Sequence, residues 1–407
     1  MTAIYLIPII LAAIWCFLYD DQKEFDSRKS HRFWLLCIIL SLITGFSYAL
    51  GGDKQKYLTE FEEYPNEFYG WLEEIEERLM TKGEMPLWVL LNCFAKNVFN
   101  SFYPVQLIEA FWINIAVFHT VKRYTQRVFF FVLLYCFTFT YFTFNTEVMR
   151  EAFAIGFCLY GMETYFRKKY AHTVLLFTIA IFWHVSSIVM VLFLFTRFKV
   201  TPKRLMFTIL ASATFWALSN LLFSQIVSSF LGEKNALFTR VLMYSTFKVG
   251  PIAYILYLTI YILAPFCIMH YGIPKGLKDK EVIARKEHLM AFYLCIGAIV
   301  PSFLPLARFL NYALIAYYCM LTDTLYTLFQ DKKHIITKAV CCFIAVGYYT
   351  FQYITCNPRS DARYYDLWFP YTSIFDEDSY NRNRRQQIHF SVLTNKKAEE
   401  NTREVEE

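Results

Sequence analysis

Charge is what this sequence has least of. Asp, Glu, Lys and Arg make up 18% of its 407 residues, against about 25% in an ordinary soluble domain, too little to clothe a water-facing surface. Glycine and proline are sparse as well, at 13 and 12, which excludes collagen-like and low-complexity architectures. The 11 cysteines show no paired or metal-type spacing and lie almost entirely inside apolar runs, where a free thiol behaves as a small hydrophobe. No HExxH, P-loop or GxGxxG occurs, so neither a metal nor a nucleotide cofactor is implied.

What is abundant is apolar: 57% of the residues, with 20% aromatic. These residues fall into runs near 2–19, 33–50, 103–119, 128–144, 151–166, 206–223, 249–269, 289–304, 309–329 and 339–356. Each approaches the roughly 20 residues that cross a bilayer core of about 30 Å. The expected fold is therefore all-α and polytopic, with about ten transmembrane helices. The first run lacks a basic leader and a small-x-small cleavage site, which favours a retained helix over a signal peptide.

Basic residues gather between the runs at 23–32, 122–127, 167–169, 197–204, 275–286 and 332–338, which assigns those connectors to the cytoplasm. The +6 formal charge then reflects topology rather than affinity for nucleic acid. Because both flanks of 173–196 are basic, that segment must leave and return on one side. A helical hairpin turning at Trp183–Ser187 achieves this; a single span, with another miscounted, is the alternative. The domain reading is one transmembrane catalytic domain over 1–375, with an outer amphipathic segment at 51–99 and a polar, disordered tail at 376–407.

The connectors on the other side carry few cations, so the isolated ones stand out. Arg150 opens one span, while Arg240/Tyr244 and Arg308/Tyr312 are i,i+4 pairs that share a helical face. Each arginine alone fits snorkelling to headgroups. As a set they fit a phosphate or diphosphate, whose oxygens match the guanidinium fork. His184, beside Ser186 and Ser187, reads either as a packing residue or as a donor or base facing a cavity. Gly51-Gly52-Asp53 ends a run, and Tyr57, Phe61, Tyr64, Phe68, Trp71 and Ile75 then recur every three or four residues as an amphipathic rim, divided at Pro65. Asp53 is expected to face the arginines.

The order GGDKQKYLTEF, EMPLWVLLNCFAK, TEVMREAFAIGF, IAIFWHVSSIVMVL and WFPYTSIF resembles the EpsG-like family of bacterial polysaccharide polymerases, relatives of the Wzy O-antigen and capsule polymerases. The resemblance runs from about Ser47 to Phe375. The family's G-x-D and tyrosine fall on Gly51 or Gly52, Asp53 and Tyr57; its R-Q-x-x-A on Arg150, Glu151 and Ala154, with glutamate for glutamine; its H-x-S on His184 and Ser186. SYAL stands where the family places an arginine. The resemblance implies a metal-independent and cofactor-free membrane glycosyltransferase, similar to the lipid-linked-sugar (GT-C-like) enzymes. Its substrates would be undecaprenyl-diphosphate-linked oligosaccharides, as donor and acceptor, at the outer face of the bacterial cytoplasmic membrane. A flippase and a chain-length regulator of the same pathway are the implied partners. Assigned catalytic residues are Asp53, Arg150, His184, Arg240 and Arg308; substrate-binding ones are Tyr57, Glu147, Glu151, Ser186, Tyr244 and Tyr312. A flippase or exporter of the glycan, or an acyltransferase using His184, are the rival readings.

Overall fold

A chain this apolar satisfies its backbone N–H and C=O groups most economically inside helices. The computed structural model describes residues 3–22, 24–67, 69–231, 249–271, 280–302, 304–330, 367–369 and 371–375. Among them the regular structure is helical, and the one strand-like contact is a bridge between Ser47 and Ser373. The all-α expectation is met.

The expectation of about ten crossings is not. Among the described residues, two helices are long and apolar enough to cross a membrane, Tyr103–Tyr124 and Pro251–His270. A third is added only if Val128–Phe137 and Thr140–Glu147, bent by 81° at their junction, form one span. Apolar runs read as spans fail for identifiable reasons. The helix Ser27–Gly45 spends its first turns on Arg28, Lys29 and Arg32, Met149–Phe166 carries Arg150, Glu151 and Glu163, and Lys280–Ile299 begins with five charged residues within its first eight. The apolar helices at 4–19, 170–183 and 185–195 are short. Long apolar runs also line protein interiors, and periodicity alone does not separate the two uses. The run at 339–356 and the tail at 376–407 lie outside the described residues.

The chain forms two compact units. The first comprises Met1–Lys122, Gln126–Gly156 and Tyr326–Glu407. Its helices are α1 (Ala3–Tyr19), α2 (Ser27–Gly45), α3 (Gly52–Glu62), α4 (Trp71–Thr81), α5 (Pro86–Phe99), most of α6 (Tyr103–Tyr124), α7 (Val128–Phe137), the single turn α8 (Phe139–Phe142) and the start of α9 (Met149–Phe166). Phe33, Phe118 and Phe129 centre its core, with Phe33 4.5 Å from Phe118. A polar seam crosses that core: Asn114 donates to Asn145 at 2.9 Å, as does Thr44 at 3.1 Å. The Gln106 amide donates to the carbonyls of Thr44, Gly45 and Ser47 at 3.1, 2.6 and 2.9 Å. These are carbonyls that the end of α2 leaves without helical partners, so Gln106 fixes where α2 stops.

The second unit, Arg123–Thr125 with Phe157–Leu325, holds α10 (Tyr170–Trp183), α11 (Met190–Phe195), α12 (Pro202–Leu231), α13 (Pro251–Leu258), α14 (Ala264–Tyr271), α15 (Lys280–Ile299) and most of α16 (Asn311–Gln330). Between α10 and α11 the helix breaks at His184, whose backbone is extended, and resumes as a 3₁₀ turn over Val185–Val189. Gly297 lets α15 approach a π turn at Thr259–Leu263 so closely that a Cβ there would lie 2.4 Å from the Tyr261 carbonyl oxygen.

Candidate functional site

In the first unit the site begins where α2 ends. Tyr48 N–H donates to Thr372 at 2.7 Å, Gly51 N–H to Leu367 at 2.8 Å and Ile374 N–H to Phe46 at 2.9 Å. The 367–375 stretch is thus a strap over the turn between α2 and α3. Tyr5 and Trp368 extend the strap, the Tyr5 hydroxyl donating to the Trp368 carbonyl at 3.0 Å and the indole N–H to Thr146 at 3.0 Å. Held this way, Gly51 takes φ +85° and ψ 167°, a conformation essentially reserved for glycine.

The next two N–H groups meet a carboxylate. Gly52 N–H reaches Glu147 Oε1 at 2.6 Å and Asp53 N–H reaches Oε2 at 3.1 Å. These are orphan donors of the first turn of α3, where a negative group is favoured. Glu147 therefore locks the turn, and Tyr57 adds a hydrogen bond to its carbonyl at 3.3 Å. Asp53, half-buried, stands in that first turn. Lys54 is fully buried and donates to Ser47 Oγ at 2.7 Å and the Thr44 carbonyl at 3.2 Å. Burial pulls its ammonium down to about 7, against the opposing pull of Glu109 and Glu147. Glu109 on α6 is buried, and neither of its carboxylate oxygens has a hydrogen-bond partner among the described residues.

Arg150 lies one turn along from Glu147. Its guanidinium sits 5.5 Å over the Tyr57 ring and 3.6 Å from Glu84 Oε1. Its Nε is buried without a hydrogen-bond partner among the described residues. Glu84, 1% exposed, also accepts from the Tyr64 hydroxyl at 2.7 Å and lies 3.5 Å from Arg78. Burial and this carboxylate push the Tyr64 phenol well up, so it stays a donor. Arg78 in turn stacks 3.7 Å over Tyr64 and is paired with Glu74, and with Glu63 at 3.7 Å. Burial, with Glu84 adding to it, raises the carboxyl of nearby Glu60, while Lys56 and Arg150 oppose the rise. The result is a guanidinium fixed on one side by a carboxylate and a ring, with an unused N–H. Glu151 is buried on the same helix.

The second unit holds a separate hydrogen-bonded chain. Ser186 N–H donates to His184 Nδ1 at 3.3 Å, the Ser186 hydroxyl lies 2.5 Å from the same nitrogen, and Tyr312 OH lies 2.7 Å from Ser186 Oγ. A backbone N–H only donates, so Nδ1 is the acceptor and the ring proton sits on Nε2. The Ser186 hydroxyl then donates to Nδ1, and Tyr312 donates to Ser186. His184 also caps the 3₁₀ turn. Tyr312 is fully buried and Arg308 is exposed.

Of the residues singled out in the sequence, the structure brings Asp53, Tyr57, Glu147 and Arg150 into one cluster, with Glu151 adjacent in sequence, and joins His184, Ser186 and Tyr312 in another. Arg308 precedes Tyr312 by one turn. Arg240 and Tyr244 lie outside the described residues. Glu84, Arg78 and Lys54 escaped sequence reasoning as site residues. Glu84 sits between two helices in KGEMP, with no periodic partner to mark it. No group of three or more His, Cys, Asp or Glu residues arranged to hold a metal occurs among the described residues. Residues 32–373 match a family model described as the EpsG family. No curated protein and no solved structure matches the chain.

Proposed function

The chain belongs to the EpsG family, and from that membership, which suggests a Wzy-like polysaccharide polymerase, we propose a repeat-unit polymerase using a lipid-diphosphate-linked glycan as donor. The sugar's anomeric carbon–oxygen bond to the diphosphate breaks, a bond to a hydroxyl of a second lipid-linked unit forms, and the hydroxyl proton passes to a base. The diphosphate leaves with added negative charge, so a cation already in place lowers the barrier. Supporting this is the half-satisfied Arg150, pinned by Glu84 and Tyr57 with its Nε–H unused. Asp53 is the proposed proton acceptor, because both Glu147 oxygens are taken by backbone N–H groups. His184, protonated on Nε2, is the proposed hydrogen-bond donor to a sugar or phosphate oxygen, with Ser186 and Tyr312 setting its tautomer and Arg308 a further candidate cation. Glu151 remains a candidate site residue on the family motif, and Arg240 and Tyr244 on their i,i+4 spacing in the sequence.

The two long apolar helices accord with membrane association, and the reaction is proposed for the outer face of the bacterial cytoplasmic membrane, where undecaprenyl diphosphate would carry the units. The test is reconstitution: purified protein in vesicles should lengthen a lipid-linked repeat unit without nucleotide sugar. Unchanged chain length with an authentic substrate refutes the polymerase, and net transbilayer movement of the substrate without lengthening replaces it with a transporter.

A further inference from the structure

The second unit gathers a cationic cluster that the proposed reaction does not use. Arg123 and Tyr124 end α6, Glu163 and Arg167 lie in and just after the last turn of α9, and Arg285 stands in α15. Glu163 is 7% exposed, and its two oxygens are served unequally. Oε1 accepts from Arg123 and, at 2.7 Å, from Arg167 Nε, whereas Oε2 is buried with no hydrogen-bond partner among the described residues. Two more buried atoms share that condition, the Tyr124 hydroxyl and Arg285 Nε. All three lie in one electrostatic neighbourhood: Tyr124 feels Glu163, Arg285 and Arg123, and Arg285 feels Tyr124 and Glu163. Arg285 is held elsewhere on its guanidinium, Nη2 donating to Glu281 at 2.6 Å and the group lying 5.6 Å over the Phe166 ring.

Buried polar atoms are seldom left without a partner, and this set specifies what the partner must be. Arg285 Nε–H needs an acceptor, the Glu163 carboxylate needs a donor at Oε2, and the Tyr124 hydroxyl serves as either. A water molecule meets these needs but not the charge. Three guanidiniums face the two carboxylates of Glu163 and Glu281, and exposed Lys168 and Lys169 follow Arg167. Sulfate meets the charge but has no proton to give Glu163. A phosphate that keeps one P–OH meets both.

We propose that this cluster binds a protonated phosphate group, either free hydrogen phosphate or the headgroup of a phosphatidic acid. One phosphate oxygen accepts from Arg285 Nε–H, the P–OH donates to Glu163 Oε2, and the guanidiniums of Arg123 and Arg167 balance the charge. These arginines are 33, 45 and 28% exposed for Arg123, Arg167 and Arg285, so a solute reaches the cluster from solvent. The same carboxylate turns away phosphodiester headgroups such as phosphatidylglycerol, which have no P–OH. The three arginines belong to the basic connectors at 122–127, 167–169 and 275–286, so the site is proposed for the cytoplasmic side.

The experiment is titration calorimetry on the full-length protein in detergent, with inorganic phosphate and with sulfate at equal ionic strength. It is run at about pH 6, near the second pKa of a phosphomonoester, where both phosphate sources carry a proton. Expected is saturable phosphate binding about tenfold or more tighter than sulfate. Arg285→Gln should weaken phosphate about tenfold, equivalent to about 1.4 kcal/mol. Glu163→Gln puts an amide donor beside the anion and should admit sulfate as well as phosphate, a gain that a misfolded variant would not give. Equal affinities in the wild type, showing an unselective cationic patch, overturn the proposal, as does the absence of saturable binding, showing a hydrated ion-pair network. Added phosphatidic acid that displaces phosphate, where phosphatidylglycerol does not, assigns the site to the lipid headgroup; no displacement by either assigns it to the free ion, and displacement by both refutes the P–OH requirement. None of these readouts involves glycan lengthening, so they stand apart from the polymerase reading.

Discussion

Replacing Gly51 by alanine strikes the candidate site at its most constrained point. The residue sits at φ +85° and ψ 167°, where an L side chain costs about 1–3 kcal/mol. The new Cβ would lie 2.6 Å from Glu147 Oε1 and from Thr146 Oγ1, and 2.8 Å from Thr146 Cβ. Glu147 cannot simply retreat, because Gly52 and Asp53 hold it at 2.6 and 3.1 Å. Hydrogen bonds to a charged group are each worth about 1.5–3 kcal/mol, so losing one of them brings the total to about 2.5–6 kcal/mol. Against stabilities of about 5–15 kcal/mol that is a large share. Thermal melts in detergent should show Gly51→Ala lowered by several degrees, and the reconstituted polymerisation should be lost beyond what unfolding explains, since Asp53 moves with the turn. Gly250→Ala is the control, as its Cβ meets nothing within 4 Å. If Gly51→Ala melts with the wild type and lengthens glycan at the wild-type rate, the lock between Glu147 and the turn is not what shapes this site.

Glu84→Gln keeps the Tyr64 hydrogen bond but removes the charge shared by Arg150 and Arg78; polymerisation should fall by about tenfold or more, with Arg150 no longer held. Lys54→Met should alter the pH dependence of stability. The wild-type ammonium titrates near 7 when folded and near 10.5 when unfolded, so the unfolded chain binds more protons between these values and wild-type stability rises with pH across that window. The Met variant should lack that rise in melting temperature, and an identical slope in both proteins would refute the assignment. Ser186→Ala removes the hydroxyl between His184 and Tyr312 but keeps the backbone N–H that donates to Nδ1; ¹⁵N NMR of labelled histidine should report Nε2 protonation in both proteins, with the Nδ1 resonance shifted in the variant by loss of the hydroxyl donor, and an Nδ1-protonated wild type would refute the assignment.

Much of this was readable from the residues alone, and the omissions have physical causes. Two adjacent glycines before an acid and an aromatic ladder mark a turn entering an amphipathic helix, and that is where α3 begins, at Gly52. Arg150 stands out because a cation at the start of an apolar run needs a partner. The identity of that partner is set by folding α4 and α5 together, so Glu84 carries no local signal. The run 128–144 shows a related difficulty: it looks continuous in hydropathy, while the backbone bends by 81° within it, so it counts as a span only if the two bent segments are taken as one. Hydropathy records what a residue avoids and says nothing of whether lipid or protein will shelter it.

The strap has a consequence in time as well as in space. Its bond from Tyr5 to Trp368 joins residues 363 positions apart, and the same late segment supplies the carbonyl that fixes Gly51. Contacts this distant in sequence form slowly and only once the chain between them exists. While the ribosome is still short of Phe375, the turn has no clamp. A product terminated before residue 367 therefore carries Asp53, Glu147 and Arg150 without the backbone clamp on Gly51, and synthesis through Phe375 becomes the condition for the full set of strap contacts.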